Sequence, residues 1–475
     1  MHNTPVIPVL DAMLALAFVG DLSMGQPTDH SPRTANLAAR LAAEAGGGEA
    51  DCAAAYCVAL LRWSGCTANA SGFGQLFGDD VGGRQAMLAA PQPGFSLETR
   101  REIHPLAQIH CEVSGDIAAM LKLPGVVEAG LRNIFETYDG QGEPGLLQHP
   151  HVPPVVYHVA LAGDLEIFSR VHGIEAALAC MQRRSQAKYP AELVALATRH
   201  ARHWLELPDS GNALAPAADD SIALTLVADV IELKLPWLAG YSRQVAQLVQ
   251  SAAVLQGMPA TVQRQLYCAA LMHGIGRVAL PNKLWNMQGQ LKESDREQIR
   301  LAPYWTSRAA QRIRSLTPEM TLASYAYERA DGSGYFRGLS GDAINLPQRT
   351  LAAAIACVAL RSPRPWRDAF MPSDADAILR KEGEQGAFDA AAVEAVLAAA
   401  NSEALPGPAK TSGILSERET EVLRRISLGE SNKEAARTLA LSPSTVRTHV
   451  ENIFRKLECS TRAAATLKAL TLGLI

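Results

Sequence analysis

The sequence predicts an all-α protein: a large helical body followed by a small helical module. Three observations carry that expectation. Ala-rich stretches place larger apolar residues at three- and four-residue spacing, as at Ala38, Leu41 and Ala42, at Val245, Leu248 and Ala252, and at Ala391, Val393 and Leu397. That is the period of a half-buried helix. Alternating strand patterns are rare. Two stretches rich in Pro, Gly, Asn and Asp, residues 207–220 and 404–413, read as linkers. They divide the chain into 1–206, 221–403 and 414–475.

With 475 residues and 48% apolar residues, each piece can bury a core of its own. Aromatic content is 5% and charged content 19%, which argues against disordered, collagen-like or coiled-coil chains. The net charge of -4 excludes a protein that binds nucleic acid over its whole surface, but not one small module that does. Eight scattered Cys fit buried thiols in a reducing compartment, and Cys52 and Cys57 alone make no metal site. The apolar run from Val6 to Val19 contains Asp11 and is too short to span a bilayer. A cytoplasmic location is therefore expected, with no membrane partner.

The first two pieces follow one plan, so an internal duplication is expected. Each has a helix near its start, a short motif, a further helix and an Asp-Gly turn. In the first these are His30, Trp63-Ser64, His110 and Asp139-Gly140. In the second they are Tyr241, His273-Gly274, Ala302-Pro303 and Asp331-Gly332.

The third piece is more explicit. Ser416 with Glu419 and Ser431 with Glu434 are capping boxes that open two helices, and Gly429 can end the first. Ser442-Pro443 opens a third helix whose apolar stripe is Val446, Val450, Ile453 and Leu457. Ser460 is expected to cap a fourth helix running to about Leu470. Away from the stripe, the third helix shows Ser444, Thr445, Arg447, Thr448, Asn452, Arg455 and Lys456. Arg, Asn and Thr suit base edges, and Lys and hydroxyl groups suit phosphates. Lys433 stands near a helix N-terminus, where it can meet a phosphate. From Thr411 onward ten basic residues face seven acidic ones, near +3, which leaves about -7 on the body. Physics alone also allows a small bundle that binds protein.

The run from Leu415 to Ile475 resembles the LuxR-type four-helix helix-turn-helix. The matching residues are Glu419, Val422, Leu423, Gly429, Ser431 to Glu434, Ala436, Leu439, Ser442, Thr445, Val446, His449, Ile453, Lys456, Leu457, Thr461 and Arg462. The resemblance implies promoter DNA as partner, with Val446–Lys456 largely in the major groove. It also implies a homodimer joined through the last helix.

Residues 221–403 resemble the HD-GYP division of the HD metal-dependent phosphohydrolases. The carriers are Asp331-Gly332-Ser333-Gly334-Tyr335, Arg337-Gly338-Leu339, Gly341, His273-Gly274, Pro281, Lys283 and Arg364-Pro365. The family holds two or three metals with His and Asp side chains. Here Tyr241, Gly274, Ala302, Ala326, Tyr327 and Ile355 stand at ligand positions, and His273 alone remains. Residues 10–206 resemble the same family more faintly. There His30 and His110 are kept, while Trp63-Ser64 and Gly163 stand at ligand positions and Phe135-Glu136 where the histidine pair and glutamate would run.

The expected architecture is thus two tandem HD-like domains followed by the LuxR-type module. The expected function is a bacterial transcriptional regulator whose body senses a signal or dimerises. It is expected not to be an enzyme, because a lone histidine cannot hold a metal pair. Neither metal nor cofactor is identified, and a small-molecule effector is a candidate partner. The candidate remnant pocket comprises His30, His110, Tyr241, His273, Tyr327, Glu328, Asp331 and Arg337. Two rivals stand beside this reading: an HD-GYP-type cyclic-dinucleotide phosphodiesterase fused to a DNA-binding domain, and a body that is only a protein-interaction scaffold.

Overall fold

The computed structural model describes residues 4–90, 96–207, 220–402 and 413–475. Most of both expected linkers, 207–220 and 404–413, therefore lies outside the described residues. The chain forms two compact units, residues 8–222 and residues 1–7 with 223–475. Almost all regular structure is helical. The exception is a two-stranded sheet of three-residue strands, β1 (Val6–Pro8) and β2 (Ser221–Ala223).

The N-terminal unit contains α1 (Val9–Ser23), α2 (His30–Glu44), α3 (Glu49–Leu61), α4 (Ala70–Phe77) and α5 (Asp80–Ala89). They are followed by α6 (Leu97–Met120), α7 (Gly125–Arg132), α8 (Pro154–His172), α9 (Ile174–Arg183) and α10 (Ala191–Glu206). Its core is the packing of α2, α3 and α8. Small residues explain that closeness: Ala35, Ala38, Ala39 and Ala42 on α2 and Ala54, Ala55 and Ala59 on α3 are all buried. Such residues give up area per side chain but let the backbones approach.

The second unit begins with α11 (Thr225–Glu232), α12 (Tyr241–Leu255), α13 (Ala260–Met272), α14 (Asn282–Trp285) and α15 (Glu293–Ile299). It continues with α16 (Ala302–Ala309), α17 (Thr317–Ala323), α18 (Leu346–Arg361), α19 (Pro372–Glu384) and α20 (Ala390–Ala400). Helices α12, α13, α18 and α20 form its helical core.

Two local devices recur in both units. A 3-10 turn follows α3 and α13, and a glycine in each turn lies against a carbonyl. A Cβ on Gly65 would sit 2.4 Å from the His110 oxygen, and one on Gly276 would sit 1.9 Å from the Ala302 oxygen. The second device is the Asp-Gly loop. Asp139 accepts the Gln141 N–H at 3.0 Å, and Asp331 accepts the Ser333 N–H at 2.9 Å. A buried glutamate closes each loop: Glu136 accepts from the Leu146 N–H, and Glu328 from the Arg337 and Leu339 N–H groups.

The C-terminal module is α21 (Glu417–Ser427), α22 (Asn432–Thr438), α23 (Pro443–Leu457) and α24 (Arg462–Thr471). Both capping boxes form as the spacing predicts, and Ser442 caps α23. The fourth helix starts one residue later than expected. Thr461, not Ser460, supplies the cap, its hydroxyl accepting from the Ala464 N–H. Val446, Val450, Ile453 and Leu457 are buried together with Val422, Leu423 and Ile426. The α24 helix also packs on α11, with Leu467 and Leu470 buried outside that cluster. The helix that the resemblance casts as a dimer contact thus lies, in this structure, against the helical body of its own chain.

Candidate functional site

The module presents its polar face as the helical period requires. Ser444, Thr445, Arg447, Thr448, Arg455, Lys456 and Lys433 are exposed, and Asn452 is half-buried. Ser442 bonds the hydroxyls of Ser444 and Thr445, which orders the start of α23. Arg447 is held by Glu451 at 2.9 Å, one turn on, and Arg455 by Asn452 at 3.3 Å. Lys456 is committed differently. Its ammonium lies 2.7 Å from the buried Glu419 and ties α23 to α21. Burial pushes the Glu419 carboxyl up, but the bonds from Lys456 and Ser416 outweigh it and hold its pKa low.

The second unit brings several of the substituted positions together. The Tyr241 ring is 5.8 Å from the His273 ring, and its hydroxyl donates to the Ile355 carbonyl at 3.0 Å. His273 donates from Nδ1 to the Ala270 carbonyl at 2.6 Å, which leaves Nε2 as acceptor. Arg277 fills that acceptor from Nη2 at 2.9 Å and also bonds the Tyr327 hydroxyl at 2.6 Å. Burial first, then the Arg277 charge, pushes the His273 pKa down to about 3, so it is neutral at pH 7. Arg364 completes the cluster, 4.9 Å from the Tyr241 ring and 5.0 Å from Trp237.

The remaining expected pocket residues divide by role. Glu328 and Asp331 build the Asp-Gly loop, and Arg337 bonds Ser324 between the rings of Tyr325 and Phe336. These three shape backbone rather than line a cavity, because their polar atoms are spent on loop N–H and carbonyl groups. His30 and His110 belong to the N-terminal unit. The other six belong to the second unit. His30 bonds Glu166 at 2.5 Å, and His110 lines a separate cavity. Burial opposes ionisation of Glu166, yet His30 and Arg170 pull its pKa down to about 2. The sequence reading passed over Arg62 and Arg277. Both stand within four residues of a motif position, and a basic residue there was the available signal.

These donors do not fit a metal pair. Among the described residues no group of three His, Cys, Asp or Glu side chains converges. The Nε2 lone pair of His273 is taken by a guanidinium.

His110 yields a pH prediction. Its Nε2–H donates to the Arg62 carbonyl at 2.8 Å, and burial, reinforced by Arg84 and Arg62, pushes its pKa from 6.5 to about 3. The unfolded chain takes a proton below about 6.5 that the folded unit refuses. The associated stability is present above that pH and is lost as pH falls towards 3, by about 2 kcal/mol at pH 5. His110→Gln should flatten the decline between pH 7 and 5 by about that amount in urea unfolding. Identical slopes for variant and parent would refute it.

Comparison with known proteins gives the class. Residues 225–392 match the HD domain family, and residues 413–469 match the bacterial regulatory proteins of the luxR family. The protein is an HD/HD-GYP-like domain fused to a LuxR-type helix-turn-helix module. It is similar to the 3'3'-cGAMP-specific phosphodiesterase 3 of Vibrio cholerae serotype O1, 25% identical over 429 residues, covering 80% of this chain and 92% of that one. It is 32% identical over 177 residues to the 3'3'-cGAMP-specific phosphodiesterase 1 of the same organism, covering 37% of this chain and 41% of that relative. A crystal structure of a Vibrio cholerae cyclic GMP-AMP-specific phosphodiesterase shares the fold. Its TM-score is 0.60 at 24% identity, covering 85% of this chain and 99% of that one.

These relatives correct the expectation that the chain is not an enzyme. That expectation rested on ligand positions taken singly, whereas the relative similar over 80% of this chain and the solved structure covering 85% of it are both phosphodiesterases. No helix among the described residues is long and apolar enough to cross a membrane.

Proposed function

We propose that this protein is a DNA-binding regulator whose HD-GYP-related body recognises a cyclic dinucleotide. The observation that carries the proposal is the cluster in the second unit. Arg277 and Arg364 bracket Tyr241 at 5.5 and 4.9 Å, with Trp237 and Trp366 6.0 Å apart alongside. Guanidinium groups suit phosphodiester oxygens, and aromatic faces suit bases. The body is read as two tandem HD-like domains, 1–206 and 221–403, with the DNA module at 414–475. The recurring glycine turns and glutamate-closed loops support that duplication.

Coupling runs through α11. That helix packs on the 3-10 turn carrying Arg277 and on α24 of the DNA module. Asp229 and Glu232 of α11 are bonded to Arg243 and to the Ser242 N–H of α12. A ligand that repositions Arg277 would shift α11 and so the support of the module. Release of α24 would make its apolar face available to a second copy, and two modules would then read an inverted repeat.

A second reading, cyclic-dinucleotide phosphodiesterase activity joined to DNA binding, is favoured by the relative similar over 80% of the chain. One experiment addresses both. The purified protein is titrated with cyclic GMP-AMP and cyclic di-GMP by calorimetry, with and without Mn²⁺, and products are followed by chromatography. Binding lost in Arg364→Ala supports recognition, and product formation supports the second reading. No binding of either dinucleotide would overturn the proposal.

A further inference from the structure

The cavity that His110 lines in the N-terminal unit has a volume of about 340 Å³, and the proposed function does not use it. Its wall is predominantly apolar and includes Trp63, Phe73, Leu88, Ile134 and Phe135. The rings are close: His110 lies 4.8 Å from Phe135 and 6.2 Å from Trp63. A cavity of this size and lining suits a small ring compound.

The charged groups define the rest. Arg62 and Arg84 both line the cavity, and each lies over an aromatic face, Arg62 at 4.1 Å from Trp63 and Arg84 at 4.5 Å from Phe73. Both are buried. Arg84 donates only to neutral acceptors, the carbonyls of Ser23 and Cys66 and the Asn69 amide oxygen. Arg62 makes one long bond, 3.4 Å to the Val159 carbonyl. Among the described residues neither has a carboxylate at ion-pair distance.

The acidic groups of the wall are otherwise engaged. Asp164 serves Arg184, Lys188 and Tyr189, and Glu143 serves His104. Glu136 receives the Leu146 N–H on one oxygen, and its other oxygen is buried without a partner. The Trp63 indole N–H is also buried without a partner. A desolvated guanidinium with spare donors beside an idle indole N–H is a site lacking its anion.

Gly163 shows how the cation is accommodated. A Cβ there would lie 1.5 Å from Arg62 Nη1, so the glycine leaves the room that the guanidinium fills. Where the HD resemblance places a carboxylate, this unit has Gly163, and the Arg62 guanidinium lies against it.

We propose that this cavity is an effector site for a small aromatic carboxylate, its ring against Trp63, Phe73 and Phe135 and its carboxylate on Arg62. It is independent of the cyclic-dinucleotide reading of the second unit. The unpaired oxygen of Glu136 would accept from a hydroxyl or amino group on the ring.

The test uses the full chain and 1-naphthoate as probe, titrated by calorimetry, with neutral 1-naphthalenemethanol as the control. The expected result is saturable binding of one naphthoate per chain, at least tenfold tighter than the alcohol. Arg62→Met should abolish that preference. Leu88→Trp, which fills the cavity from a half-buried wall position, should weaken both ligands at least tenfold and keeps the test valid if the Arg62 variant does not fold. Equal affinity for acid and alcohol, binding unchanged in Leu88→Trp, or no naphthoate binding would overturn the proposal. So would displacement of naphthoate by cyclic GMP-AMP, which would assign the cavity to a nucleotide. Failure of cyclic GMP-AMP to bind anywhere would bear only on the second unit.

Discussion

Gly276→Ala is expected to destabilise the second unit by about 3 kcal/mol or more, enough to cost most of the soluble protein. The added Cβ would stand 1.9 Å from the Ala302 carbonyl oxygen and 2.8 Å from the Thr306 nitrogen. Both are backbone atoms of α16, so no flexible side-chain end can yield. The Gly276 N–H also donates to the Thr306 hydroxyl at 3.2 Å, which fixes the turn against the helix. Moving α16 away would disturb the turn that carries Arg277, so dinucleotide binding should fall with stability. Urea unfolding of the variant beside Gly274→Ala provides the measure. A Cβ on Gly274 meets nothing nearer than 3.3 Å, and that contact is the flexible end of Arg277. If the two variants proved equally stable, the close contact would not be the cause.

Arg447→Ala is expected to reduce affinity for a cognate promoter fragment about tenfold or more and to relax sequence preference. Arg447 is exposed in the first half of α23, and its pair with Glu451 is a surface pair that costs little to break. Lys433→Ala should behave differently. Its loss should weaken binding to cognate and unrelated fragments alike and lower the salt slope by about one. Lys456→Ala provides a contrast. Because Lys456 pairs with buried Glu419, its removal should lower the thermal stability of the module as well as its DNA affinity. Fluorescence anisotropy with cognate and scrambled duplexes over a salt series distinguishes the three. Equal losses on both duplexes for Arg447→Ala would remove it from base recognition.

Helices, caps and the module were legible in the sequence because they depend on neighbours one to four residues apart. Ser416 with Glu419, Ser431 with Glu434 and the stripe from Val446 to Leu457 all behave as that spacing requires. The cap of the last helix was misplaced by one residue, since Ser460 and Thr461 are both cap formers and adjacent in sequence. The roles of polar residues were less accessible. Asp331 and Arg337 belong to the strongest motif of the body and Glu328 precedes it, yet their atoms are consumed in holding the loop. His30 and His110 are both histidines kept at motif positions, but one bonds a buried carboxylate and the other lines a cavity.

By itself the sequence determined a mostly helical chain with a helical body and a LuxR-type module behind it. Those properties follow from period, capping and composition, which are local. Only the tertiary structure decided that Arg62 and Arg277 stand among the residues at the ancestral ligand positions, that Gly163 makes room for one of them, and that α24 rests on α11. The contacts of Arg277 with Tyr327, of Gly163 with Arg62 and of α24 with α11 join residues tens to hundreds of positions apart. Burial then decides their meaning, because a guanidinium in an apolar wall is costly until an anion reaches it.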